Sequence, residues 1–304
     1  MPNYCEGDNK QSGAGGTGRS EGSLNVATTQ RIESAVGDTP VNAYLVEGEH
    51  ELVAIDSTLT VSGGRAVRER IEATGKPLAA LLLTHAHPDH YGGAVEAVAN
   101  SEAPILATAG VDAAIRADDK SKEMILRPMF GDEWPAERAF PTQLADPGEE
   151  LTFGDIELTV RDLGPGESPH DSIWLLGEDG HTVFSGDQGY NHMHCYLADG
   201  HWQSWLTNLD RLAAELPAGV TLLPGHGDRS GRELLDWQRG YIERFVAAVR
   251  AGDWSHPETA KEGVVEAMAS YLPANELRFL MELSIEPVAA QLGLLAPDAS
   301  EDSA

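Results

Sequence analysis

Two short apolar runs, Val41 to Val46 and Glu51 to Ile55, flank Glu47-Gly48-Glu49-His50, which predicts two strands joined by a turn and ending at Asp56. Gly63 to Thr74 carries Val67 and Ile71 at helical spacing, and Leu78 to Leu83 is the continuous apolar run of a strand covered on both faces. After His85 to Gly93 the pattern gives a helix at Ala94 to Ala99 and a strand at Pro104 to Ala107. Val111 to Glu150 breaks this rhythm with Phe130, Trp134, Phe140 and four prolines, so a loop-and-helix insertion is expected, its aromatics reading as core rather than lid. Strands return at Leu151 to Val160, Ser172 to Leu176 and Thr182 to Ser185, then a helix near Trp202 to Glu215 and a strand at Thr221 to Leu223. From Ser230 onward the spacing is helical, over Leu234 to Val249, Thr259 to Tyr271 and Asn275 to Leu292. The expectation is an α/β (α+β) catalytic domain over 24–228 with a C-terminal helical extension over 229–297. A Gly-rich leader over 1–23 and a tail over 298–304 have too little apolar content to offset the entropy of ordering.

Charge changes the picture of the surroundings. The 304 residues include 49 acidic and 21 basic side chains, a formal charge of −28. Such a surface repels polyanions, so no nucleic-acid partner is expected. Self-repulsion opposes compaction until ions screen it, which suggests a salt-adapted, halophilic setting. No run reaches the roughly 18 to 20 apolar residues of a bilayer crossing, and Met1 to Ser23 lacks the basic-then-apolar order of an export signal, so no membrane partner and a cytoplasmic location are expected. Two cysteines, Cys5 and Cys195, are too few for a disulfide framework or an all-cysteine site; any metal must use nitrogen and oxygen ligands.

The chemistry concentrates in Thr84-His85-Ala86-His87-Pro88-Asp89-His90-Tyr91-Gly92-Gly93, three imidazoles and a carboxylate within six residues just after a buried strand. In a tight loop, alternate residues can aim His85 and His87 at one cation while Asp89 and His90 turn toward a neighbour. Further donors recur just past strand ends: His170 in Gly164-Pro165-Gly166-Glu167-Ser168-Pro169-His170, Asp187 after Thr182 to Ser185, and His226 in Pro224-Gly225-His226-Gly227. That is the edge at which loops of α/β sheets converge on ligands.

The ordered series Asp56, His85-x-His87-x-Asp89-His90, His170, Asp187 and His226 resembles the metallo-β-lactamase fold superfamily over roughly residues 24–228. The resemblance implies a four-layer αββα sandwich with two divalent metal ions, zinc by default and iron or mixed occupancy as alternatives, at one edge of the sheets. It implies His85, His87 and His170 on the first metal, Asp89, His90 and His226 on the second, Asp187 bridging both, and Asp56 ordering the ligand loops. A metal-bridging hydroxide would be the nucleophile and Asp89 the catalytic group that orients it and passes on a proton. The antibiotic-degrading branch usually carries Cys or Ser where Asp187 stands, which disfavours β-lactam hydrolysis and points to a small ester, thioester or lactone.

The alternative is a non-haem iron oxidoreductase of the persulfide dioxygenase type, with His85, His170 and Asp187 as a two-histidine, one-carboxylate face. Tyr190, His192, His194 and Cys195 follow Asp187 and read as packing or pocket rim before further ligands. The amphipathic carboxyl-terminal helices leave room for a homodimer.

Overall fold

The computed structural model describes residues 27–36 and 39–295; the expected leader and tail lie outside them. Among the described residues, eleven strands form two sheets. The first contains β1 (Thr28–Val36), β2 (Thr39–Glu47), β3 (Leu52–Ile55), β4 (Leu78–Leu82), β5 (Ile105–Ala107) and β6 (Gln143–Leu144), side by side in chain order. Strands β1 to β3 pair antiparallel, and β3 to β6 pair parallel. The second sheet has the order β11 (Thr221–His226), β10 (Thr182–Tyr190), β9 (Asp171–Leu176), β8 (Ile156–Gly164), β7 (Glu150–Phe153), with only β10 and β11 parallel.

Period-two alternation explains how the sheets stack. On β2, Tyr44 and Val46 face a core shared with Val53, Ile55 and Leu82 on one side and Leu158, Val160, Trp174, Phe184 and Leu223 of the second sheet on the other. Their neighbours Ala43 and Leu45 face outward, onto Val67 and Ile71 of α1 (Val61–Thr74), Tyr91 of α2 (Pro88–Tyr91), Ala94 and Ala97 of α3 (Ala94–Ala97), and Val111 and Ile115 of α4 (Ala109–Phe130). Outward-facing Ile173, Leu175, Val183 and Leu222 of the second sheet pack on α5 (Trp202–Glu215), α6 (Glu233–Ala251), α7 (Pro257–Tyr271) and α8 (Arg278–Gln291). Each buried aliphatic or aromatic side chain contributes about 1.5–3 kcal/mol, so the sandwich is held by its three apolar layers. The expected αββα architecture is the observed one, and the C-terminal helices share the apolar layer of the second sheet. Among the described residues no helix is long and apolar enough to cross a membrane.

Local signals account for several boundaries. Helix α1 starts at Thr60, whose side chain accepts from Gly63 N, and stops at Gly75 in the left-handed region. Three differences from the sequence pattern stand out. Strand β1 went unread because Thr28–Val36 mixes charged and polar residues along a half-exposed edge. The run Leu151 to Val160 is a hairpin, turned at Gly154, whose φ is +57°. Much of the expected insertion is the 22-residue α4, capped by Thr108, and Trp134 beyond it is buried while Phe130 and Phe140 are partly so.

The two sheets are also tied together at the edge that matters. The Trp174 indole donates to the Leu83 carbonyl at 3.0 Å, and Ser172 donates to the Thr84 carbonyl through both its backbone N (2.8 Å) and its Oγ (2.7 Å). The loop carrying His85 to His90 is therefore clamped between β4 and β9.

Candidate metal centre

Two groups of donors meet at this edge: His85, His87 and Glu167 in one, Asp89, His90, Asp187 and His226 in the other. Within each group the donor atoms lie within 4.8 Å of one another. In the second group His226 Nε2 lies 3.3 Å from Asp89 Oδ2 and 3.2 Å from Asp187 Oδ2, and His90 Nε2 lies 3.4 Å from Asp187 Oδ1. In the first, Glu167 Oε2 is 2.6 Å from His87 Nδ1 and 3.5 Å from His85 Nε2. Asp187 joins the groups, since its Oδ2 is also 3.8 Å from His85 Nε2.

Each histidine has one nitrogen turned into the group and the other tied outside it. His90 Nδ1 meets Asp56 Oδ2 at 2.8 Å, and His226 Nδ1 meets the Pro40 carbonyl, which can only accept. Thr84 Oγ1 donates to Asp56 Oδ2 (2.8 Å) and so accepts from His85 Nδ1 (2.9 Å). His87 is turned the other way, with Nε2 on Asp199 Oδ2 at 2.9 Å and Nδ1 facing inward. The outer bonds set the tautomer that leaves every inner nitrogen available to a ligand.

That arrangement fits a cation. His85 Nε2, His90 Nε2, His226 Nε2 and both Asp187 carboxylate oxygens are buried without a hydrogen-bond partner, a costly state that a bound cation relieves. Four imidazoles and three carboxylates are a donor set for divalent metals. Close packing supports the same reading: a Cβ on Gly225 would come within 2.0 Å of Asp187 Oδ1 and 2.5 Å of the His90 ring, so only glycine leaves room there. Asp187 itself sits in an irregular stretch of β10, after Gly186 (φ +49°), where the pairing with β11 shifts register and re-aims the side chain.

Electrostatics follow from this crowding. Burial would push His226 down, but Asp187 and Asp89 outweigh it and raise it to about 10. Burial likewise opposes His90, which Asp187, Asp89 and Asp56 hold well above its ordinary value. Burial would raise Asp187 and Asp89, yet the surrounding histidines keep both carboxyls below the usual range. His85 lies well below its ordinary value, pushed by burial and by His90. Burial raises Glu167 to about 8 against the pull of His87. Burial alone would favour the neutral forms; the mutual attraction of carboxylates and imidazoles is what shifts His226 and His90 up and Asp187 and Asp89 down.

His170 requires a correction. It belongs to neither group: its Nε2 lies 2.8 and 2.9 Å from the Asp162 carboxylate oxygens, and its ring rests against Gly110 of α4. The cause is the turn between β8 and β9. Asp171 accepts from Glu167 N (2.7 Å), Ser168 N (3.1 Å), Ser168 Oγ (2.6 Å) and Gln188 Nε2 (2.7 Å), curling the loop so that Glu167 faces inward and His170 outward. The two-histidine face of His85, His170 and Asp187 consequently does not assemble. The other expected donors, His85, His87, Asp89, His90, Asp187 and His226, come together. Asp187 and His226 lie inside β10 and β11 rather than beyond them.

Asp56 lies where a loop-ordering group should. Buried, with φ +58°, it accepts from Thr84 N (2.9 Å), Thr84 Oγ1 and His90. Its unusual backbone and that of Thr58 (φ +65°) make a strained turn, held by Ser57 N on the His90 carbonyl and Gly93 N on the Thr58 carbonyl. Of the later cluster, Tyr190 donates to Glu167 Oε1 at 2.8 Å and stacks on His226 with ring centroids 4.6 Å apart. His194 has both nitrogens occupied, by Tyr241 and the Ala274 carbonyl, His192 packs on Trp237, and Cys195 is buried. Glu167 and Asp199 were missed from sequence. Glu167 had a usable signal, an acidic residue directly after Gly-Pro-Gly at a strand end; Asp199 had none.

The chain belongs to the metallo-beta-lactamase superfamily, whose family model matches residues 36–226. A probable metallo-hydrolase, YqgX of Bacillus subtilis, is 26% identical over 194 residues, 63% of this chain and 87% of that protein. The uncharacterized protein YobT of the same organism is 49% identical over 53 residues, and the match spans only 22% of YobT. Among solved structures, a beta-lactamase domain protein from Burkholderia ambifaria is similar with a TM-score of 0.63 at 19% identity, over 91% of this chain and 90% of that one. A metallo-beta-lactamase from Pontibacter korlensis gives 0.56 at 19% identity, over 70% of this chain and 93% of that one. These structural likenesses speak for the fold. Family and donor groups together make the protein a metal-dependent hydrolase in general terms, one that binds divalent metal.

Proposed function

We propose that the protein is a dinuclear hydrolase of small, uncharged esters, thioesters or lactones, with zinc as the default metal. The observation that carries this is the pair of donor groups joined through Asp187. His85, His87 and Glu167 would hold one ion and Asp89, His90 and His226 the other, with Asp187 between them. Two such ions would supply Lewis acidity and hydroxide at neutral pH. The chain's own residues do the rest. Asp89, its side chain 20% exposed, is the donor most open to solvent, and its ionised Oδ2 can take a proton and hand it to a leaving group. Tyr196 stands edge-on to His87 with ring centroids 5.4 Å apart, so its ring shields one side of that ligand. Among the described residues no lysine or arginine forms an ion pair with any of the seven donors, which leaves their charge to be met by the bound metal. The surface charge favours a salt-rich cytoplasm as the setting.

A second reading has one supporting observation: His85, His87 and Glu167 alone are two histidines and a carboxylate, the set that binds a single ferrous ion. Elemental analysis of protein as isolated, followed by a panel of esters, thioesters, lactones and phosphodiesters with and without chelator, separates the two. About two zinc per chain and chelator-sensitive ester-type hydrolysis is the expected result. One iron with oxygen uptake would favour the second reading. Asp187→Ala should lose the bridging contact and cut turnover at least about 100-fold; a variant that keeps two metals and full turnover overturns the assignment.

A further inference from the structure

We infer that Asp199 is the positioning residue for the first metal, and that through it the C-terminal helices beyond the family-matched segment take part in building the site; the inference rests on the dinuclear reading above. Three of the four inner histidines are tethered by groups close to β2, β3 and β4: Pro40, Asp56 and Thr84. His87 instead depends on a side chain outside the first sheet, Asp199, 112 residues away, through Nε2 at 2.9 Å. Since its Nδ1 faces Glu167 at 2.6 Å, binding a cation at Nδ1 requires the hydrogen on Nε2, and Asp199 is its acceptor.

Asp199 is placed from behind by α8. Two residues earlier, Leu197 N donates to Ser284 Oγ at 2.8 Å, and Ser284 is fully buried on α8 with its own hydroxyl on the Leu280 carbonyl at 2.7 Å. One residue later, Gly200 has φ +89° and sits so close to Gln291 of α8 that a Cβ would meet its amide nitrogen at 2.4 Å. Helix α8 begins at Arg278, past the family match that ends at residue 226. The chain from α8 to the loop to Asp199 to His87 is continuous, and every link is a hydrogen bond or a close contact.

The test is a cobalt(II) titration of metal-free full-length protein, competed against a chelator and followed by the visible bands of the bound ion. Wild type takes up two ions. Asp199→Ala weakens one of them by about 10- to 100-fold and leaves the other within about threefold, while Asp199→Asn, which keeps an oxygen acceptor for Nε2–H, recovers most of the loss. In the proton spectrum of the cobalt protein, one exchangeable histidine N–H signal should exchange faster with solvent in Asp199→Ala than in wild type. An unchanged melting temperature of the metal-free variants shows that the effect is not unfolding. Two ions bound by Asp199→Ala as tightly as by wild type overturns the inference and leaves the dinuclear reading standing. A wild type that binds fewer than two ions overturns both.

Discussion

The two donor groups are built by opposite means. The second, Asp89, His90, Asp187 and His226, leans on the first sheet: Asp56 follows β3, Pro40 belongs to β2, and Asn42 and Tyr44 of β2 hold the Pro224 and Gly227 carbonyls at 2.6–2.9 Å. Residues on or next to strands supply those tethers, and Asn42, Tyr44 and Asp56 are buried. The first group, His85, His87 and Glu167, takes two of its tethers from the region after the bend in β10: Tyr190 on Glu167, and Asp199 on His87. Asp199 keeps 20% of its side chain exposed, whereas Asp56 keeps 4%. Equal donor chemistry therefore does not mean equal preorganisation, and the first ion should be the one whose retention responds to loop and helix changes.

Acid should break the comparison most strongly, because it empties both groups. Each inner proton that a cation displaces lowers apparent metal affinity about tenfold per pH unit of acidification. His226, at about 10, and His90, held well above its ordinary value, both carry such protons near neutrality. With one such proton displaced from each of these two histidines, going from pH 8 to pH 6 should cost the second group about 10,000-fold, and its affinity should keep rising with pH until about 10. Calorimetry in buffers of different ionisation enthalpy counts the protons released; none would refute the ion-paired apo state. Stability of the metal-free fold moves the other way. The raised His226 stabilises it fully below its ordinary value of 6.5 and less as pH rises through about 10, while the lowered Asp187 and Asp89 withdraw their contribution only in strong acid.

Asp56→Ala should be next in effect and should strike the second group. It strands Thr84 N, Thr84 Oγ1 and His90 Nδ1 in a buried turn, so the unfolding free energy should fall by roughly 2–4 kcal/mol. The second ion should bind about 10- to 100-fold more weakly. Denaturant unfolding of the metal-free variant, paired with cobalt titration, measures both; a loss confined to the first ion would reverse the assignment of tethers. Tyr190→Phe is the mildest change, since its ring remains on His226 and only the hydroxyl on Glu167 Oε1 is lost. Affinity for the first ion should fall about threefold to tenfold, the size of one hydrogen bond. A loss of that size at the second ion instead would make the ring stacking on His226 the dominant contact.

Salt bears on the whole chain rather than on either group. With 49 acidic against 21 basic residues, the melting temperature should rise from dilute to molar salt as self-repulsion is screened.

What the amino-acid sequence determined by itself is considerable. Helix and strand periods located most elements, because a buried face imposes its spacing on the residues that line it: the helix Trp202–Glu215 lies where the spacing put one. The string from His85 to His90 identified its own chemistry, since all its donors sit on one clamped loop and need no distant partner to converge. Asp187 and His226 were legible for a related reason, each lying at the same edge of its sheet. Only the tertiary structure could choose between Glu167 and His170. They are three residues apart on one turn, both can bind metal, and the choice is made by how Asp171 folds that turn through bonds to Glu167, Ser168 and Gln188. Asp199 lay further out of reach. It is an ordinary acidic residue in an acidic chain, and its role exists only because helix α8, some 80 positions later in the polypeptide, holds its loop against His87. Local patterns carry information about local geometry; a tether between distant segments leaves none until the chain has packed.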